Sequence, residues 1–497
     1  MILIRDATIV DGTGAPPQQK DLIIRKDRIS AVDNFANVRA ETVIKARGSY
    51  LMPGFIDIHA ASDHYLTLFT DPDQSDLLRQ GITTIVGGHC GSSLAPLLYG
   101  SLESIRKWTD TNAVNVNWHT IAEFLTVLQG MKLGVNFATL AGHSTIRRAL
   151  IGGGVRDLTV RELDVLSSVV ETALAEGAFG VSTGLEFVHA RATPYVELKR
   201  IATAAARAHA LYTTHVRDEK DGLVSAVKEA IALARDTRVK TVVSHFRPFV
   251  GYESQFDAAL TLLERAGKDL PVYFDTYPYD TSIQPIYTLL PAWAKTGDLE
   301  HMRASIAQPH LREAILRELP AFGDDDVVVA SAPTAPFLLG KNIGGIARNR
   351  KISVREALLT LMEMTGMRAV VFYKNVHMDL AIASLQLPNA LLGSNAPSVP
   401  VAQSAPHERF QSAFLKFLQT AVGINLMPLE KAVEKITSLP ARLVGFSDRG
   451  QVKESYYADL TLMRAGAVTD VFVNGVHAVV NGAVTAARGG KPLLSTW

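Results

Sequence analysis

Eight short runs of apolar, often β-branched residues recur along the chain with helical stretches between them, and this alternation constrains the fold more than any other feature. The runs are GFIDIHA at 54–60, TTIVGG at 83–88, VNFATLAGH at 135–143, FGVSTG at 179–184, LYTTHV at 211–216, KTVVSHF at 240–246, PVYFDTYPY at 271–279 and ALLGSN at 390–395. Stretches such as 161–176 (RELDVLSSVVETALAE) and 222–235 (GLVSAVKEAIALAR) supply the helices. The pattern predicts an α/β fold, a parallel (β/α)8 barrel of TIM type. A doubly wound sheet is the rival, but it leaves unexplained why polar residues cluster at the C-terminal ends of so many runs. In a barrel those ends form one mouth, so residues distant in sequence converge on one site.

The two chain ends have a different texture. Short strand-like pieces (MILIRDATIV, DLIIRKDRISAV, ETVIKA) fill the first 50 residues, and ADLTLM, VTDVFVNG and AVVNGAV fill 458–484. The expected organisation is a small β-sandwich shared by residues 1–52 and 441–497, with the barrel at 53–440. The gap between the seventh and eighth runs is too long for a bare loop, and a lid subdomain is expected at about 283–345. With 50 Lys+Arg against 49 Asp+Glu, the formal net charge of +1 gives no electrostatic bias toward nucleic acid or an anionic membrane. No apolar run reaches the roughly 18 residues of a membrane helix. The chain start has no signal-peptide pattern and the one cysteine, Cys90, cannot form an internal disulfide, so a cytoplasmic location is expected. No heptad pattern points to an oligomeric state.

The strand ends carry His59, Cys90, His143, His215, His245, Tyr277, Tyr279 and Asn395. A lone histidine at a strand end is more often structural than functional, but four together with the sole cysteine reverse those odds. Thiolate and imidazole are the ligands zinc prefers, and three protein ligands with an open position is the catalytic arrangement. Cys90, His215 and His245 would supply that set. The glycine-rich setting of Cys90, GGHCGSSLAP, favours a ligand over a packed core thiol. His143 is read as a packing or supporting residue. His89 is expected to face away from Cys90, because successive strand residues point to opposite faces.

Taken together, PGFIDIH at 53–59, GITTIVGGHCGSSLAPL at 81–97, GAFGVSTGLEF at 177–187, THVRDE at 214–219, SHFR at 244–247, DTYPY at 275–279, PHER at 406–409 and TSLPARLVGFSDRGQVKE at 437–454 resemble the D-aminoacylase, or N-acyl-D-amino-acid deacylase, branch of the amidohydrolase superfamily. The resemblance implies a metal-dependent barrel with a β-sandwich from both ends. It makes Cys90, His215 and His245 ligands of a tightly held zinc, with His59 the remaining ligand of a second position. It makes Arg409 the fork for the substrate carboxylate. Arg247, Tyr277, Tyr279, Ser282 and Phe187 fall in its substrate-binding set.

Two departures stand out. The family's His-X-His reads His59-Ala60-Ala61, and its Gly-Ser-Asp reads Gly393-Ser394-Asn395. An amide cannot act as the general base that the Asp supplies. Both losses fall on the weaker metal position. Three outcomes are compatible: a one-zinc deacylase acting on a small carboxylate-bearing amide, a non-hydrolytic zinc enzyme of isomerase or lyase type, or an inactive binding homologue. The persistence of Arg409, Arg247 and the YPY segment favours the first, with Asp63, His64 and His407 the candidates to replace the base.

Overall fold

The computed structural model describes residues 1–398 and 405–496. All eight runs form parallel strands: Phe55–Asp57, Ile82–Gly87, Asn136–Thr139 continued by Ala141–Gly142, Gly180–Gly184, Leu211–His215, Lys240–Val243, Val272–Thr276 and Ala390–Leu392. Each pairs with the next. The ring closes where the Asn395 amide donates to the His59 carbonyl at 2.8 Å and the Ala61 amide to the Ala396 carbonyl at 3.0 Å. This is the (β/α)8 barrel.

Strands covered on one face by helices and on the other by the barrel's own filling have no wet side, which is why the runs are continuously apolar. Ile58, Val86, Ala138, Leu140, Phe179, Leu211, Val242, Tyr273 and Leu391 bring a side chain from every strand into one cluster, and Leu443 and Val444 join it. The interior is packed, so ligands are confined to the mouth. Flanking helices start where the sequence places a capping box: Thr159 with Glu162 opens Val160–Ala175, and Thr120 with Glu123 opens Ile121–Gly130.

The two chain ends join in one continuous nine-stranded sheet, the β-sandwich unit. Its seam is the antiparallel pairing of Tyr50–Pro53 with Leu460–Arg464, in the register Leu51 to Leu462 and Met52 to Thr461. A separate core of Ile4, Leu22, Ile24, Leu51, Leu460 and Phe472 supports it. The last residues then run back along the barrel, the Leu493 amide donating to the Phe137 carbonyl at 2.7 Å and the Ser495 amide to that of Gly177 at 3.0 Å.

Between the seventh and eighth barrel strands the chain builds a three-stranded antiparallel sheet in the order Thr281–Pro285, Val370–Lys374, Val327–Ser331. Its apolar cluster, including Ile286, Met302, Ile306, Leu358 and Met362, is its own. The central strand, Val370–Lys374, falls outside the 283–345 expected for this lid. It pairs with partners about 40 and 90 residues upstream, and such distant pairing leaves no local turn signal. Among the described residues no helix is long and apolar enough to cross a membrane.

Candidate metal and substrate site

At the barrel mouth the ends of the first, second, fifth and sixth strands bring His59, Cys90, His215 and His245 together. The Cys90 Sγ lies 3.5 Å from His245 Nε2 and 3.9 Å from His59 Nε2. Two overlapping groups, His59–Cys90–His245 and His215–Glu219–His245, have donor atoms within 4.8 Å of one another. Burial alone would push the Cys90 thiol up, but the imidazoles of His245, His215 and His59 around it hold it well below the ordinary thiol range. Three of the residues that line this mouth turn the chain through the left-handed region, Cys90 (φ 52°), His245 (φ 37°) and Asn395 (φ 46°). Each such turn costs of order 1–3 kcal/mol in a residue with a Cβ. Strain concentrated here is borne by the surrounding packing and aims the side chains inward.

Carboxylates the sequence reading did not single out complete the cluster. His215 Nε2 donates to Glu186 Oε2 at 2.9 Å, and His245 Nδ1 to Glu219 Oε1 at 3.0 Å. Burial disfavours charge on His215, yet Glu219, Cys90 and Glu186 raise its pKa to about 10. Arg247 Nη2 donates to the second Glu219 oxygen at 2.5 Å and its Nη1 to the Tyr277 hydroxyl at 3.0 Å. His215 Nδ1 is buried with no hydrogen-bond partner. A thiolate, the His245 Nε2 turned toward it and an unpartnered imidazole nitrogen form a donor set that fits zinc. His59 is held differently: its Nδ1 faces Asp275 Oδ2 at 3.1 Å. Despite burial, Asp275 raises its pKa to about 10. His89, expected to face away from Cys90, packs flat on His59 with ring centroids 4.0 Å apart.

A narrow cavity of about 30 Å³ opens over this cluster. Cys90, His215, His245, Glu186, Glu219, Arg247 and Asn395 form its polar side; Ala61, Tyr65, Trp108 and Phe187 line it from the barrel, and Ile283, Gln284, Pro285 and Thr288 from the lid. Ala61 and Asn395, the two altered positions, are therefore neighbours on adjoining strand ends. Of the three residues weighed as a substitute base, His64 lies in the lining, with Nε2 bonded to the Ser92 carbonyl at 3.0 Å. Asp63 lies outside it, accepting from the Gly88 amide at 2.6 Å. His407 is packed between Tyr279 and Phe372, and burial lowers its pKa to about 3.

The substrate-side residues divide in the same way. Phe187 and Arg247 line the cavity. Arg409 is not part of the lining: it is fully buried, its guanidinium 4.0 Å from the Tyr277 ring centre and bonded through Nη2 to the Thr281 carbonyl. Among the described residues its Nε and Nη1 have no hydrogen-bond partner, and burial lowers its pKa. Tyr279 bonds to Ser412 at 3.0 Å and Ser282 to Asn375 at 2.8 Å, and neither lines the cavity. His143 is a packing residue: its Nε2 meets Glu197 at 2.6 Å, and Arg147 Nε meets the same carboxylate at 3.0 Å, all buried.

Comparison with known proteins places this geometry. No family model matches the chain. An N-acyl-D-aspartate deacylase of Alcaligenes xylosoxydans xylosoxydans is 31% identical over 503 residues, covering 97% of this chain and 91% of that one. The crystal structure of an N-acyl-D-glutamate deacylase from Bordetella bronchiseptica, complexed with zinc and a phosphonate mimic of the tetrahedral intermediate, superposes with a TM-score of 0.84 at 27% identity over 99% of both chains. A structure of D-aminoacylase, described in terms of one-metal activation and second-metal attenuation, superposes with a TM-score of 0.81 at 26% identity, again over 99% of both. By full-length likeness in sequence and fold, the chain belongs to the D-aminoacylase and N-acyl-D-amino-acid deacylase family of amidohydrolases.

Proposed function

We propose that this protein is a one-zinc deacylase that hydrolyses the amide bond of a small N-acyl amino acid bearing a free carboxylate. One observation carries the reading: Cys90, His215 and His245 line one cavity with Arg247, and Arg409, a buried guanidinium with two donors that have no partner among the described residues, lies against Tyr277, whose hydroxyl accepts from Arg247. A cation buried without a counter-ion costs several kcal/mol unless a ligand completes it, and a carboxylate matches the fork. The relatives named for N-acyl-D-aspartate and N-acyl-D-glutamate support a substrate of the same class.

Cys90, His215 and His245 would hold the ion, which when bound acidifies a water toward a pKa of about 7 and polarises the scissile carbonyl. The D-aminoacylase described by one-metal activation supports a site that works with a single ion. Arg409 anchors the substrate carboxylate, and Arg247, fixed by Glu219 and Tyr277, faces the same space. Trp108, Phe187 and Tyr65 give the cavity an apolar wall that excludes water. Asn395 cannot take a proton. His64 fills that role: donation through Nε2 to Ser92 leaves the Nδ1 lone pair free to accept a proton and pass it to the leaving amine.

Metal analysis with an amine-release assay on N-acetyl-D- and N-acetyl-L-amino acids tests the reading. We expect about one zinc per chain and hydrolysis of one enantiomeric series, both lost in Cys90→Ala. His64→Gln should lower kcat about 10²–10⁴-fold with zinc content unchanged. A zinc-loaded protein releasing no amine from either series would overturn the deacylase assignment.

A further inference from the structure

We propose that Glu186 is a positioning residue for the metal site: it fixes the tautomer of His215 so that Nδ1 is presented as the ligand atom, while Glu219 does the same for His245 with the opposite nitrogen. The inference rests on the metal reading above but concerns residues that the zinc ligand set does not include.

The two imidazoles are held in opposite senses. On His215, Nε2 meets the Glu186 carboxylate at 2.9 Å and Nδ1 is the buried, unpartnered nitrogen. On His245, Nδ1 meets Glu219 at 3.0 Å and Nε2 points at the Cys90 sulfur 3.5 Å away. An ionised carboxylate only accepts hydrogen bonds, so when the ring gives up a proton to bind a metal the nitrogen facing the carboxylate keeps its hydrogen, and the lone pair falls on the other one. A carboxylate behind a ligating imidazole also raises its basicity and restrains ring rotation. The ring planes of His215 and His245 stand at 85°; Glu219 Oε2 also lies 3.6 Å from His215 Nε2, but the hydrogen bond on that nitrogen, at 2.9 Å, is made by Glu186.

Glu186 is the better residue to test. Glu219 also neutralises buried Arg247, so its removal would disturb substrate binding and folding together. Glu186 borders the cavity, its side chain is bonded to His215, and 13% of its side-chain surface is exposed. The experiment is zinc titration of the full-length protein against a chelator of known affinity, with the Co²⁺ ligand-field spectrum as a second readout. Glu186→Ala should weaken zinc binding about 10–100-fold and shift the Co²⁺ bands. Glu186→Gln, which retains an acceptor, should recover most of the affinity. The melting temperature of the metal-free protein reports any general damage to the fold. Wild-type affinity and an unchanged Co²⁺ spectrum in Glu186→Ala would overturn the inference and leave the deacylase reading intact. A wild-type protein that binds zinc but hydrolyses nothing, with Glu186→Ala still weakened, would do the reverse. A wild-type protein that takes up no zinc would overturn both.

Discussion

Ala61 and Asn395 sit on adjoining strand ends, at the seam where the eighth barrel strand meets the first. Two losses that look separate in sequence, 334 positions apart, thus remove one place rather than two. Restoring Ala61→His together with Asn395→Asp should raise bound metal from about one to about two ions per chain, measured by metal analysis; unchanged stoichiometry would mean the position is closed by something other than these two side chains. Arg409→Lys keeps the charge but loses the fork. We expect KM for N-acyl amino acids to rise about 10-fold or more with kcat changed far less, since the lost contact is made equally in ground and transition states. That Cys90, His215 and His245 share one cavity was legible because cysteine and histidine are scarce and each stood at the end of an apolar run. Glu186 and Glu219 were not, although both lie in segments that carry the family resemblance. A carboxylate on a loop is common, and only its distance from an imidazole distinguishes it.

The helices His143–Ile151 and Tyr195–Arg207 are tied together under the barrel mouth by the buried His143–Glu197–Arg147 cluster. Burial alone would raise the Glu197 pKa, but His143 and Arg147 hold it below the ordinary value of 4.5. A carboxyl with a depressed folded-state pKa stabilises the protein fully above its unfolded value, and that contribution fades as pH falls through the folded value. Glu197→Gln should therefore cost about 3 kcal/mol or more at neutral pH, and its melting temperature should fall less steeply than that of the wild type below about pH 4.5. Parallel melting curves across the acid range would remove Glu197 from the account. At this scale the barrel strands and capping boxes could be read because both are local patterns. The lid could be placed but not bounded, since its central strand, Val370–Lys374, is defined by partners far upstream.

The whole molecule is held by its ends. The seam between Tyr50–Pro53 and Leu460–Arg464 joins residues about 400 positions apart, and the last residues are stitched onto the third barrel strand. Sequence texture suggested that the termini share one unit; the register of the seam and the return of the tail are long-range facts that no local pattern encodes. Removing residues 459–497 should leave the N-terminal strands with an open edge and yield aggregated protein, assessed by fractionation and sedimentation; a monomeric, folded truncation would show that the seam is dispensable. The same seam sets a timetable during synthesis. At roughly 5–20 residues per second, the edge of Tyr50–Pro53 leaves the ribosome about 20–80 s before its partner strand exists. Throughout that interval it is an unpaired template exposed to other nascent chains, so the yield of native protein should depend on translation speed and on chaperone cover more than its final stability would suggest.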